Sequence, residues 1–198
     1  QNGVWTASAG YPMLFEAGSS FTMTGGTLTN NSGTQTVFGP GRPFLQWGGG
    51  ALAGSSGYRI EPGLTVPVNG NGHSLTSVLT NSGTINWTAG VIGGATGNIQ
   101  NTSGAVFNIG FNSADQLTVP FNNQAGATVN QNGTGTFHTY YFSTYGAFTN
   151  AGTINLVNGN WRFDNTNTHS ATSALNIAAS RTLTFNTATT IAGTVSNS

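Results

Sequence analysis

The chain has 198 residues and no net charge, and charged side chains make up only 4% of it against about 25% in ordinary globular domains. There is no Lys. The cations are Arg42, Arg59, Arg162 and Arg181, so no basic stripe exists to displace counterions from a nucleic acid or to hold an anionic membrane surface. There is no Cys, which removes disulfides, thiolate chemistry and Cys-based metal sites, and the apolar runs fall far short of the roughly 20 residues of a membrane-spanning helix.

Apolar residues, 36% of the chain, are regularly spaced, which predicts a packed fold rather than a polar disordered tract. Taken in chain order, repeat-like sequence begins at Val4-Trp5 and continues with LTNNSGTQTVF from Leu28 and a segment in phase at Leu52. LTNSGTINW follows from Leu79, IQNTSGAVFNI from Ile99 and FNNQAGATVNQ from Phe121. FTNAGTINL from Phe148 is nearly superimposable on the Leu79 copy. A fainter copy, LNIAASRTLTF, begins at Leu175. The starts at 4, 28, 52, 79, 99, 121, 148 and 175 are 20–27 residues apart, the period of a solenoid whose units cannot bury an apolar face alone.

Each period holds three short apolar clusters. From Leu79 they are Val78-Leu79, then Ile85 with Trp87, then Val91-Ile92; from Phe148 they are Phe148, then Ile154 with Leu156, then Trp161 with Phe163. Spacing of i and i+2 within clusters is strand periodicity with one face buried, and no helical stripe persists over three turns. Three strands per period predict an all-β chain: a right-handed, three-sided parallel β-helix of about eight rungs of 20–27 residues, a single domain over 1–198 without evident caps. At about 4.8 Å per rung it spans roughly 38 Å. The handedness follows from the right-handed preference of parallel crossovers. Leu28, Leu79, Ile99, Phe121, Phe148 and Leu175 are expected to stack inside, one per rung. The core ladder should include Ile85, Trp87, Phe107, Val129, Ile154, Leu156, Leu183 and Phe185.

Asn-Gly pairs at 2–3, 69–70, 71–72, 132–133 and 158–159 suit corners that need positive φ. Residues 48–50, 70–72 and 166–173 are expected to carry the excess length of the longer periods as bulges. An Asn stands two places after the opening apolar residue at Asn30, Asn81, Asn101, Asn123 and Asn150. Stacked rungs would align these into a ladder of side-chain amides; alternatively each Asn simply suits a left-handed turn position.

The strings LTNSGTINW, FTNAGTINL, SSFTMTGGTLTN and SRTLTFNTATTIAGTVSNS resemble the β-solenoid repeats of large bacterial secreted adhesins, among them autotransporter passengers and filamentous-haemagglutinin-like exoproteins. The resemblance covers nearly the whole chain. It implies a secreted or cell-surface location, a right-handed parallel β-helix, and a role in adhesion, matrix or a surface fibre. The family has no fixed functional motif, so no residue role transfers.

Little in the sequence points to catalysis, and the chain reads as no enzyme, without cofactor or metal. Glycoside hydrolysis needs two carboxylates across one bond. Here Glu16, Glu61, Asp115 and Asp164 are scattered, and Asp115 and Asp164 fall on opposite sides of third-cluster strands. Arg162-Phe163-Asp164 with His169 is the densest polar group and reads as a surface ion pair around an inward Phe163. His73, His138 and His169 are isolated and read as solvated loop residues rather than zinc ligands. No DxDxD-like run offers a calcium site. The segment 137–145 is the most aromatic. Its rings either fill the core and cover a corner, or leave Tyr140 and Tyr145 outward to stack on a cell-surface glycan or seat another subunit. Thr-x-Thr pairs at 22–24, 34–36, 134–136, 182–184 and 187–189 scatter over different sides and skip the middle rungs, which disfavours an ice-binding array. The terminal rungs, lacking polar caps, are expected to self-associate end to end, either between subunits or as part of a longer solenoid.

Overall fold

A computed structural model describes residues 3–8, 10, 11, 13, 15, 16, 18–110, 116–134, 136–139 and 147–198, the side chains of 137–139 excepted. Among these there is no helix. Among the described residues the chain coils through three parallel sheets of nine, eight and nine strands, about one strand of each per turn, so that it forms a three-sided β-solenoid of about eight turns.

In chain order the first face runs from Val4–Ala7 and Thr27–Asn30 up to Leu183–Phe185. The second runs from Thr36–Phe38 to Thr189–Ile191, and the third from Ser20–Met23 to Thr194–Asn197. Every pairing joins a strand to its counterpart one turn away and is parallel, as Thr84↔Val106, Ile85↔Phe107, Asn86↔Asn108 and Trp87↔Ile109 illustrate. The register keeps inward residues above inward residues, because a slip of one position would turn an apolar column out to water.

The alternation of the sequence is the alternation of burial. In Thr84–Trp87, Val106–Ile109, Thr128–Gln131 and Thr153–Leu156 the second and fourth residues are buried and the others half-buried. The enclosed core is one continuous cluster from Met23 to Leu175. Large rings fill it in register. Phe121 and Phe148 stack at 5.2 Å with planes 4° apart, Phe163 and Phe185 at 5.4 Å and 5°, and Phe107 meets Phe121 edge-on. Such pairs add roughly 0.5–1.5 kcal/mol each beyond the area they bury. The indole N–H of Trp87 donates to the carbonyls of Ala89 and Gly90 at the corner that follows, so the ring is buried without orphaning its donor.

Several sequence expectations shift in phase. Ile85, Trp87, Phe107, Val129, Ile154 and Leu156 are buried, while Leu183 and Phe185 are only partly so. Leu79, Ile99, Phe121 and Phe148 do form one inward column on the second face. Leu28 instead sits on the first face, paired with Trp5 and Leu52, and Leu175 on the third, paired with Ile154 and Val195. The repeated string, a strand ending near Asn followed by Gly and a second strand, describes a corner. A three-sided coil has three corners per turn, so the string does not identify the side. The expected bulge at 166–173 contains the paired strand Asn167–His169, and 48–50 runs into the strand Gly50–Ala53. At 70–72 both Gly70 and Gly72 adopt positive φ (94° and 74°), as the Asn-Gly pairs there require. The longest interval between paired second-face strands separates Phe121–Asn123 from Phe148–Asn150, and residues 140–146 within it lie outside the described residues.

Candidate functional site

The most ordered polar feature is inside the solenoid. On the second face the inward column reads Phe38, Ile60, Asn81, Asn101, Asn123, Asn150, His169, Ile191. The four asparagines are at most 2% exposed. Asn81 Nδ2 donates to Asn101 Oδ1, Asn101 to Asn123 and Asn123 to Asn150, each at 2.8 Å. The second N–H of the first three amides is used as well. Asn81, Asn101 and Asn123 donate to the backbone carbonyls of Val106, Thr128 and Thr153 at 3.1–3.2 Å. Asn81 and Asn150 also accept from the backbone N–H of Gly83 and Gly152. The ladder thus ties the second face to the start of the third across the corner.

Asn30 is not part of this ladder. It ends a first-face strand, and its Nδ2 donates to the carbonyls of Thr34 and Gly57 at 2.8 Å while its Oδ1 accepts from Ser32. It closes its own corner from a strand position, and since its φ is not positive it does not hold the left-handed turn position that was the alternative for all five. The same phase shift that moved Leu28 moves Asn30.

The inner ladder ends on His169, which is fully buried, with Asn150 Nδ2 3.3 Å from its Nδ1. An amide N–H can only donate, so Nδ1 accepts and the ring is neutral with its proton on Nε2. Burial drives its pKa down from 6.5 to about 4. His73, 2% exposed, is likewise no loop residue. Its Nε2 faces the carbonyls of Trp47 and Asn69 at 3.1 and 3.2 Å and must carry the proton; its pKa is also lowered by burial. The side chain of His138 lies outside the described residues.

A second ladder, not anticipated from the sequence, runs up the outside of the third face. Asn108 Nδ2 donates to Asn86 Oδ1, Asn130 to Asn108, Asn155 to Asn130 and Asn176 to Asn155, all at 2.8–2.9 Å; Ser196 Oγ then donates to Asn176. Its signal was present in the last Asn of the two TIN strings and in VFNI, TVNQ and ALNI, which occupy one register position.

The charged groups lie apart. Arg162 and Asp164 form a two-point ion pair at 2.8 Å, and Asp164 also accepts from Asn186. His169, inside the coil, does not join them. Arg42 pairs with Glu61 at 3.4 Å at another corner. Such exposed pairs contribute about 0–1 kcal/mol. Among the described residues no three His, Asp or Glu side chains converge as metal ligands. Tyr140, Tyr145 and Asp115 lie outside the described residues.

The three terminal strands at each end have one unpaired edge among the described residues. Beside the first turn is a recess of about 510 Å³ lined by Trp5, Phe15, Ser20, Phe21 and Thr22. Val4 and Trp5 are 75% and 50% exposed at that end, and Ile191 and Val195 are 39% and 54% exposed at the other. No family model, curated protein or solved structure matches this chain.

Proposed function

We propose that this chain is an extracellular structural protein, a β-solenoid segment of a surface fibre or adhesin stalk whose open ends continue onto further turns. Those turns come from a neighbouring copy or from more of the same polypeptide. The observation that carries this reading is that, among the described residues, the terminal strands of the three sheets each have one unpaired edge, with apolar side chains exposed at both ends. Unpaired N–H and C=O rows are templates for strand addition. A contact of last turn to first turn is heterologous and does not close, so between copies it builds a filament. Zero net charge leaves no long-range repulsion against it.

Electron microscopy of the native secreted material tests this. Filaments or long rods of one solenoid's width are expected. Trp5→Asp with Val195→Asp should shorten them by placing charge on both mating ends. Monodisperse particles only about 38 Å long would overturn the reading.

The role we assign is non-enzymatic. Asp164 is occupied by Arg162 and Asn186, and Glu61 by Arg42. Incubation with a glycan panel should yield no cleavage. Cleavage that disappears in Asp164→Asn would count against the assignment.

A further inference from the structure

The outward side of the third face differs from the other two. From Thr65–Val68 to Thr194–Asn197 it presents two parallel columns. One reads Thr65, Thr84, Val106, Thr128, Thr153, Ala174, Thr194, and the other Pro67, Asn86, Asn108, Asn130, Asn155, Asn176, Ser196. Neither contains a charge. Arg59 stands on the second face and Arg162 on the first, while Arg42 and Arg181 fall outside the strands. Side-chain ladders of this kind also hold a many-stranded sheet flat against its natural twist.

We propose that this strip is a docking surface for a neutral, unbranched polysaccharide lying along the solenoid axis. A primary amide has two N–H donors and two acceptor lone pairs. Each interior member of the ladder spends one N–H on the amide before it and one lone pair on the amide after it. That leaves one donor and one acceptor side by side at each interior turn of the ladder, repeated at about 4.8 Å. A sugar hydroxyl is both donor and acceptor and takes such a pair. An extended chain of β-1,4-linked hexoses advances by nearly one strand spacing per sugar with alternate sugars turned over, so the same hydroxyl edge returns at every second amide and the opposite edge at those between. The Thr, Val and Ala methyls of the neighbouring column face the C–H groups of the same chain.

Two further arguments select this occupant. The ladder has already fixed the side-chain rotamers, so binding avoids the ordering cost per side chain that a free Asn would incur. The strip is also narrow. Seven strands by two outward residues give an area of about 300 Å², well under the roughly 800 Å² per partner that a stable protein interface needs. A linear polymer uses such a strip fully, and a second copy of the chain does not. The lack of any cation on it selects neutral over acidic sugars. The inference does not depend on end-to-end assembly.

The test is co-sedimentation of the protein with insoluble cellulose, chitin and an unbranched β-1,4-mannan, with an acidic polyuronate as control. Binding to at least one neutral polymer is expected, insensitive to salt. Asn130→Thr with Asn155→Thr, which breaks the ladder with strand-favouring residues, should weaken it about tenfold. Thr153→Glu leaves every amide in place and should also weaken it, which guards against a folding defect in the first variant. Several results would overturn the proposal: no neutral polymer bound, equal binding by both variants, or salt-sensitive binding of the polyuronate alone. Dimerisation or ice-crystal shaping that the Asn changes abolish, in the absence of polysaccharide binding, would overturn it too.

Discussion

Replacing Asn123 by leucine should destabilise the solenoid by about 4 kcal/mol, the largest effect expected from any single uncharged polar side chain here. The change removes the acceptor of Asn101 Nδ2 and the donor to Asn150 Oδ1 and to the carbonyl of Thr153. All of these groups are sealed inside the coil, where each orphaned donor or acceptor costs about 1–3 kcal/mol. Leucine fits the strand and is apolar, so the loss measures unsatisfied polarity rather than propensity. Asn130→Leu is the matched control. It breaks the outer ladder just as thoroughly, but water replaces the missing partners and the cost should stay near 1 kcal/mol or below. Urea denaturation of both variants checks the contrast. Because turns contact only their neighbours, hydrogen exchange should localise the damage to the strands holding Asn101, Asn123 and Asn150. Equal losses for the two variants would show that the buried ladder has no special part in holding the turns together.

The contrast between the two ladders also marks what was legible in the sequence. The three-cluster period predicted the three sheets, since i, i+2 alternation and Gly-bearing corners fix strand direction and inward face locally. The stacking of Asn81, Asn101, Asn123 and Asn150 followed from one shared string. The error at Leu28, Asn30 and Leu175 has a physical origin: corner chemistry repeats three times per turn, and only inter-turn register, a long-range property, says which corner a string occupies. The outer ladder was missed because its asparagines stand at polar positions of strands, where any short polar residue satisfies the pattern. His73 and His169 were misplaced for a related reason. Each follows the alternation inward, His169 two residues after buried Asn167, but a titratable ring in a strand reads as solvent-facing unless its turn-to-turn neighbours are known.

Acidification should weaken this fold through its histidines. The usual source of acid sensitivity is scarce: there are only four carboxylates in 198 residues. His169 is closed in by Phe163 and Phe185, both edge-on at 5.6 and 5.9 Å, and by Phe148 at 6.5 Å. Its Nδ1 faces the Asn150 amide, and among the described residues its Nε2 has no hydrogen-bond partner. Among the described residues no carboxylate reaches it: Asp164 is taken by Arg162 and Asn186. A second proton would place N–H against N–H at Asn150 and strand a cation among rings. The folded pKa, about 4, therefore lies below the unfolded 6.5. Above pH 6.5 both states are neutral and stability is full. Between 6.5 and 4 only the unfolded chain takes the proton, so stability falls by about 3 kcal/mol; below 4 this group contributes no further loss. His73, lowered in the same direction, adds to the same slope. Urea midpoints measured from pH 8 to 3.5 should be flat above 6.5 and drop below it. His169→Asn should flatten most of that slope, because an amide oxygen accepts from Asn150 as the imidazole does and does not titrate. His169→Phe should flatten it too but begin lower at pH 8, since the Asn150 N–H then has no acceptor. An unchanged slope in both variants would mean that the ring is already protonated or solvated in the folded chain, and that the ladder does not end on a neutral histidine.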